Sequence, residues 1–143
     1  MADGNAIIEA LEHRLMRAWV GGDQKSLRKL LSARFRLVVG GETPTLLDRK
    51  SLSEAIGERW QVGGYRFGTN VYARQVDGLG IFAAEIEMEG SIDGADASGR
   101  WWLADSWRKS SLTRSWQLVE RQLSRPETAG QFPQMVRALQ LWR

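Results

Sequence analysis

The sequence predicts an α+β fold in which three helical segments surround one strand and an antiparallel sheet follows. Apolar residues recur every three or four positions in the first part of the chain, which is typical of amphipathic helices. From residue 66 to about Ser124, runs rich in Val, Ile, Phe, Tyr and Trp are separated by turn residues, as in successive strands. The short connections between these runs favour an antiparallel meander.

The helical part opens with an amphipathic helix from Asn5 to Val20. Two glycines end it, and Asp23 is placed to cap a second, short helix. A strand is predicted around Phe35 to Val39, where apolar and polar residues alternate. A third helix is expected after Asp48, with Trp60 at its end before Gly63-Gly64.

Four strands follow in the sheet part. They are expected near Arg66 to Val76, Gly80 to Ile92, Arg100 to Lys109 and from Ser115 onward. Asp77-Gly78 is the clearest turn between two of them.

The chain is thus predicted to hold one domain, residues 1–124, and a C-terminal tail, residues 125–143. Pro133 is well placed to begin a short amphipathic helix in the tail. Its apolar stripe is expected to pack on the same domain, with docking on a partner as the alternative. The stripe consists of Phe132, Met135, Val136, Leu139 and Trp142.

Composition excludes several classes of site. The 143 residues, 16.1 kDa in mass, contain no cysteine and one histidine. A thiol nucleophile, an iron–sulfur cluster and a disulfide scaffold are therefore excluded, and a multi-histidine metal site is excluded too. We expect neither a metal nor a cofactor.

The charge distribution and the hydropathy of the chain argue against two kinds of partner, nucleic acids and membranes. The 20 basic and 17 acidic residues are interspersed, giving a net charge of +3 without the basic stripe that is usual in nucleic-acid binders. No signal peptide and no membrane-spanning run is recognisable. The expectation is a cytoplasmic protein that binds neither nucleic acid nor membrane.

The order of elements and three segments resemble the nuclear transport factor 2-like superfamily. The segments are LLSARF at Leu30–Phe35, LLDRKSL at Leu46–Leu52 and WQLVERQLS at Trp116–Ser124. Within the superfamily the chain looks like the branch of uncharacterised bacterial proteins related to SnoaL-type polyketide cyclases and ketosteroid isomerase. The resemblance implies a curved sheet wrapped around the long first helix as a cone with a pocket at its wide end. It also implies a homodimer formed through the outer sheet face.

Asp105 is the strongest candidate for chemistry. Alternation places it on one strand face with Trp101, Leu103 and Trp107. A carboxylate among apolar neighbours is costly to bury unless it is paired, and its pKa tends upward when it is unpaired, as a general acid or base requires. The alternative is an Asp held by Arg121 or Arg108, or one left in solvent.

In the last strand, Glu120 and Arg121 are the two alternative candidates for a side chain that points into the pocket. The sequence leaves the register open, and at most one of the two points inward from a regular strand. Arg121 is preferred, as a cation close to Asp105.

Further residues are assigned to the pocket or to its surroundings. The three alternate glutamates Glu85, Glu87 and Glu89 are expected on a solvated face, because consecutive same-face side chains hardly converge on one ion. His13 is expected to be exposed and noncatalytic, opposite the apolar face of its helix. The predicted pocket-lining residues are Trp19, Trp60, Tyr72, Met88, Trp101, Leu103, Trp107 and Val119.

The catalytic pattern of ketosteroid isomerase does not carry over to this sequence. Where the family has its base carboxylate, early in the first strand, this sequence has Phe35, Arg36 and Leu37. Where the family has a tyrosine on the first helix, this sequence has Met16 or a neighbour.

The expected function is therefore a noncatalytic, dimeric domain that binds a small apolar ligand in an aromatic-lined pocket. The alternative is a cofactor-independent isomerase, lyase or cyclase in which Asp105 moves a proton and Arg121 stabilises negative charge. A third class is an interaction module that uses the C-terminal stripe.

Overall fold

The computed structural model describes residues 4–41 and 43–126. The helices are α1 (Gly4–Val20), α2 (Gln24–Leu30) and α3 (Arg49–Ala55). The strands are β1 (Leu31–Val39), β2 (Thr45–Asp48), β3 (Trp60–Val76), β4 (Leu79–Ile92), β5 (Ala95–Asp96), β6 (Gly99–Lys109) and β7 (Trp116–Ser124). The predicted α+β class is confirmed. The predicted tail lies outside the described residues from position 127 onward.

Helix α1 lies against the inner face of the sheet. Its apolar residues recur every three or four positions, and Ile8, Leu11, Leu15 and Trp19 are buried. Gly22, with φ of +63°, lies just beyond the end of the helix. Asp23 then caps α2, as predicted, by accepting a hydrogen bond of 3.1 Å from the backbone N–H of Ser26.

The third helix is shorter than predicted. It ends at Ala55, and Trp60 begins β3 instead of ending α3. Gly57 follows the helix with φ of +89°, and its backbone packs on that of Gly22 so closely that a Cβ on Gly57 would lie 3.2 Å from the Gly22 Cα. Glycine with positive φ just beyond the last turn is a common helix end, so α3 stops here although the apolar spacing continues to Trp60.

The sheet is antiparallel apart from one pair. The strand order is β2-β1-β7-β6-β4-β3, and the two-residue β5 pairs with β4. Strands β1 and β7 are parallel, whereas the other pairs are antiparallel. The order confirms the predicted meander of four strands, β3, β4, β6 and β7. The short strands β2 and β5 were not predicted.

Side chains alternate between the two faces of the central strands, as the sequence predicts. In β4, Ala84, Ile86 and Met88 are buried, while Glu87 and Glu89 are exposed. In β6, the buried positions are Trp101, Leu103, Asp105 and Trp107. The inner face therefore packs on α1 and the outer face carries the polar side chains.

Strand β3 bends where its pairing with β4 is interrupted. Phe67 pairs with Ile86 and Val71 pairs with Ala84, so residues 68–70 lie opposite a single residue, Glu85. Extra residues of this kind bend a strand and increase its twist. The bend allows β3 to curve around α1.

Candidate functional site

A fully buried group of ionisable side chains lies between α1 and the sheet. Asp105 of β6 and Arg121 of β7 are cross-strand partners, and each is 1% exposed. The Arg121 Nε donates to Asp105 Oδ1 at 2.9 Å, and Nη2 donates to Oδ2 at 2.8 Å. This two-bond arrangement is the strongest geometry available to an arginine–carboxylate pair.

Glu12 of α1 completes the group, which we term the buried cluster (Glu12, Asp105, Arg121). Its Oε1 accepts from Arg121 Nη2 at 3.1 Å, and its Oε2 accepts from the indole Nε1 of Trp107 at 2.7 Å. Sequence reasoning missed Glu12. The available signal was its position four residues after Ile8 and four before Met16, inside the apolar stripe of α1.

A β-bulge explains why Arg121 points inward. Leu118 and Glu120 pair with consecutive residues of β6, so Val119 between them has no partner on that strand. Leu118 and Arg121 are consequently both buried although they are three positions apart. Neither regular register describes the strand, because each predicts a strict alternation. Glu120 lies outside the cluster and accepts a hydrogen bond from Gln122.

Burial raises the pKa of Glu12 well above its ordinary value, and the negative charge of Asp105 raises it further. Burial alone would lower the pKa of Arg121, but the charges and hydrogen bonds of Asp105 and Glu12 outweigh it and raise that pKa. When Glu12 is protonated, the buried cluster contains one negative carboxylate and one positive guanidinium. The buried cluster is then electrically neutral, which is the favourable state in the interior.

The remaining contacts of Arg121 hold the guanidinium in place. Nη1 lies 3.3 Å from the sulfur of Met16, and the guanidinium carbon lies 5.0 Å from the ring centre of Trp19. The indole nitrogen of Trp19 is buried and has no hydrogen-bond partner in the described part of the chain. Both oxygens of Asp105 accept hydrogen bonds from the same arginine, so Asp105 and Arg121 form a buried ion pair.

Most predicted pocket residues lie in the core. Six of them are at most 6% exposed: Trp19, Trp60, Met88, Trp101, Leu103 and Trp107. Val119 is half-buried at the bulge. Tyr72 is also half-buried, and it pairs with Ala83 on the outer face of the sheet.

An open cleft lies nearby, between α1 and the bent strand β3. Its volume is about 530 Å³, which is within the usual range for a small-molecule site. We term it the α1–β3 cleft. It is lined by Glu9, His13, Tyr65, Arg66, Phe67, Val71 and Phe82. None of the eight predicted pocket residues is among them.

Aromatic rings form the wall of this cleft. Phe67 lies edge-on to its neighbours, with ring centres 5.3 Å from His13, 5.6 Å from Tyr65 and 5.1 Å from Phe82. The Nδ1 of His13 is 2.7 Å from the hydroxyl of Tyr65. His13 is exposed, as predicted, yet it borders the cleft.

Charged side chains frame the cleft without a strong excess of either sign. Glu9 lies one helical turn before His13 on α1. Arg66 forms an exposed ion pair with Glu87, with 2.7 Å between Nη2 and Oε2. Glu85 similarly pairs with Arg100 at 3.3 Å. Within residues 4–41 and 43–126, no three His, Cys, Asp or Glu side chains are grouped so that they could hold a metal ion.

Comparison with known proteins gives matches by structure. No family model and no curated protein sequence matches the chain. A solved structure of an NTF2-like protein from Cytophaga hutchinsonii superposes with a TM-score of 0.77 at 13% identity, covering 86% of this chain and 98% of that one. The CaMKII hub of S. rosetta gives a TM-score of 0.69 at 13% identity, covering 87% and 98%.

A ketosteroid isomerase-like protein from Erwinia carotovora also matches, with a TM-score of 0.65 at 18% identity. That match covers 87% of this chain and 97% of the other chain. At these identities the matches establish a shared architecture. In the described residues, no helix is both long and apolar enough to cross a membrane.

Proposed function

The chain has the nuclear transport factor 2-like fold, as its sequence predicts, and from this premise we propose that it is a noncatalytic domain that binds a small apolar molecule. The observation that supports the proposal is the α1–β3 cleft, which combines a ligand-sized volume with a wall of aromatic rings. Such concave, mostly apolar sites with few polar groups are typical of small-molecule binding.

The buried cluster supports a noncatalytic role. A general base must come within hydrogen-bond reach of the substrate, whereas Asp105 is held by two hydrogen bonds from Arg121. Asp105 is also 1% exposed, and it is not among the residues that line the α1–β3 cleft. Proton transfer by Asp105, with Arg121 as the charge-stabilising group, remains the alternative prediction.

Ligand-induced thermal stabilisation tests the proposed site. A panel of small apolar aromatic compounds should raise the melting temperature of the wild type, because a ligand that binds the folded state stabilises it. Val71→Trp fills the cleft and should abolish the shift. Val76→Trp is the matched control, since Val76 is 41% exposed on the same strand and does not line the cleft.

Two outcomes would count against the proposal. A shift that Val71→Trp retains as fully as Val76→Trp would mean that the cleft is not the binding site. Turnover of a stabilising compound that disappears in Asp105→Asn, with its binding retained, would instead favour the isomerase, lyase or cyclase alternative.

We further propose that the domain assembles as a homodimer through its outer sheet face. One of the matching proteins is a hub, which makes self-association of this architecture a reasonable premise. The centre of the outer face carries the small residues Ala83 and Ala104, which lie side by side on β4 and β6. The relation to SnoaL-type cyclases and the cytoplasmic location remain predictions.

A further inference from the structure

The positive charge of the molecule is concentrated in one short stretch of the chain. Residues 14–29 contain five Lys or Arg and one acid, which is a net charge of +4. The other 127 residues contain 15 basic and 16 acidic side chains, which is a net charge of −1. The charges are interspersed over the chain as a whole, but the second half of α1 and helix α2 depart from this pattern.

This stretch folds around a groove between the two helices, with a volume of about 330 Å³, which we term the α1–α2 groove. Arg14 and Arg17 line it from α1, where they are neighbours because they are three positions apart. Lys29 lines it from α2. The two apolar residues of the lining, Ala18 and Leu30, are buried. The groove therefore has basic side chains on both helices.

The three basic side chains of the lining are free to bind an anion. Arg14, Arg17 and Lys29 are exposed, and none of them forms an ion pair with another residue in 4–41 or 43–126. Arg17 also acts on the neighbouring α1–β3 cleft. Burial raises the pKa of Tyr65, and the positive charge of Arg17 lowers it. Arg17 therefore lies between the cleft and the α1–α2 groove.

Asp23 is the acid of the lining, and it serves as the cap of α2. It accepts hydrogen bonds from the Ser26 hydroxyl at 2.6 Å and the Ser26 backbone N–H at 3.1 Å, and these bonds lower its pKa. The carboxyl ends of α1 and α2 each add about half a negative charge. The lining then keeps about one positive charge, and Lys25 and Arg28 on α2 add two more beside it.

The surroundings of the groove indicate which anion fits it. Its described lining has no aromatic side chain on which a nucleic-acid base could stack. Every large apolar side chain that is exposed in the described residues lies outside residues 14–29, whereas a membrane-binding helix carries such side chains beside its basic ones. A carboxylate carries one negative charge and accepts two hydrogen bonds from an arginine. The groove is therefore best matched by carboxylates.

The positive charge continues beyond the groove along α2, so a chain with several carboxylates fits better than a small molecule with one. We infer that the α1–α2 groove is a docking surface for a short acidic segment of a partner protein, whose Asp or Glu side chains bind Arg14, Arg17 and Lys29. This inference rests on the two helices and is independent of the ligand that we propose for the α1–β3 cleft.

Fluorescence anisotropy with labelled peptides tests the inference. The probes are two peptides of equal length, one alternating glutamate with glycine and the other alternating glutamine with glycine. The glutamate peptide should bind more tightly, and its affinity should fall between about 0.01 M and about 0.15 M salt, because salt screens exposed charges. An oligothymidylate with the same number of negative charges should bind more weakly. Tighter binding of the oligothymidylate would overturn the acidic protein segment.

Removing the basic side chains of the lining should weaken the glutamate peptide. Arg14→Gln, Arg17→Gln and Lys29→Gln together should cost about tenfold in affinity, because three exposed charge contacts are lost. The control variant has the same net charge and combines Lys50→Gln, Arg74→Gln and Arg114→Gln, at exposed positions outside the lining. Equal losses in both triple variants would overturn the groove as the site.

Removing the acid of the lining should have the opposite effect. Asp23→Asn should bind the glutamate peptide about threefold more tightly, because a repulsive charge is lost. Asparagine caps a helix as well as aspartate does, so α2 is retained. Asp48→Asn is the control, since Asp48 caps α3 through the Ser51 N–H at 2.8 Å and does not line the groove. The same gain in both variants would contradict a local effect in the groove.

The cleft variant separates this inference from the proposed function. Val71→Trp fills the α1–β3 cleft and should leave the affinity for the glutamate peptide unchanged. Loss of peptide binding in Val71→Trp would place the acidic peptide in the cleft and overturn the docking surface. Equal affinities of the wild type for the glutamate and glutamine peptides would also overturn it, and the proposed small-molecule cleft would be unaffected.

Discussion

Glu12 controls the charge of the buried cluster. Its pKa is raised in the folded protein by burial and by Asp105, so the folded chain holds a proton that the unfolded chain releases near the ordinary value of 4.5. The stability that this proton confers is complete below pH 4.5 and is lost as the pH rises through the folded-state pKa. The loss is at most about 1.4 kcal/mol per pH unit.

Glu12→Gln should remove this part of the pH dependence. The amide can still accept from Trp107 or Arg121, and it cannot ionise. At neutral pH we expect the variant to be at least as stable as the wild type, with an advantage that shrinks at pH 5. Urea unfolding between pH 5 and neutral pH measures this difference in stability, with the exposed Glu54→Gln as the control. Parallel curves for Glu12→Gln and the wild type would contradict the prediction.

Removing Arg121 should be the most costly change in the cluster. Arg121→Met leaves Asp105 buried without its cation, and breaking a buried pair in this way costs about 3–5 kcal/mol. The double variant Asp105→Asn with Arg121→Met should lose less than Arg121→Met alone. A double-mutant cycle from chemical unfolding measures the difference, and a coupling energy near zero would show that the two residues act independently.

The sequence pointed to part of this cluster. Alternation singled out Asp105 because a carboxylate among Trp and Leu positions breaks the apolar pattern. The same test on a helical wheel would have found Glu12. The inward direction of Arg121 could not be derived from alternation, because the bulge at Val119 depends on pairing with β6 and leaves no mark in the apolar spacing.

At the scale of elements, the contact between Gly22 and Gly57 joins the α1–α2 turn to the end of α3. Gly57→Ala should lower the free energy of unfolding by about 1–2 kcal/mol, because φ is +89° and the added Cβ would press on the Gly22 backbone. Thermal unfolding measures the effect. Gly41→Ala is the control, since a Cβ there meets no atom within 4 Å. Equal effects of both substitutions would contradict this explanation.

The elements differ in how far the sequence could predict them. The long strands β4 and β6 follow from alternation, and α1 follows from its apolar spacing. The end of α3 could be read from Gly57, because glycine just beyond the last turn commonly ends a helix, although the apolar spacing continues to Trp60. Strand β2 is short and exposed at the edge of the sheet, so its pattern carries little signal.

At the scale of the whole molecule, the outer sheet face is the proposed surface for self-association. Ala104→Arg should shift the protein from dimer to monomer, because a long charged side chain would replace a small one at the centre of the proposed interface. Analytical ultracentrifugation measures the mass. Leu112→Arg is the control, since Leu112 is 92% exposed on the β6–β7 loop. A wild type that sediments as a monomer would contradict the dimer.

The parallel pairing of β1 with β7 orders the events of folding. Residues 36–39 of β1 pair with residues 120–123 of β7, across more than eighty positions of sequence. During synthesis, α1, α2 and β1 therefore leave the ribosome long before the strand that completes them. Closing so long a loop is slow. The early segments expose an unpaired strand edge in the meantime, where another chain can pair before β7 is made.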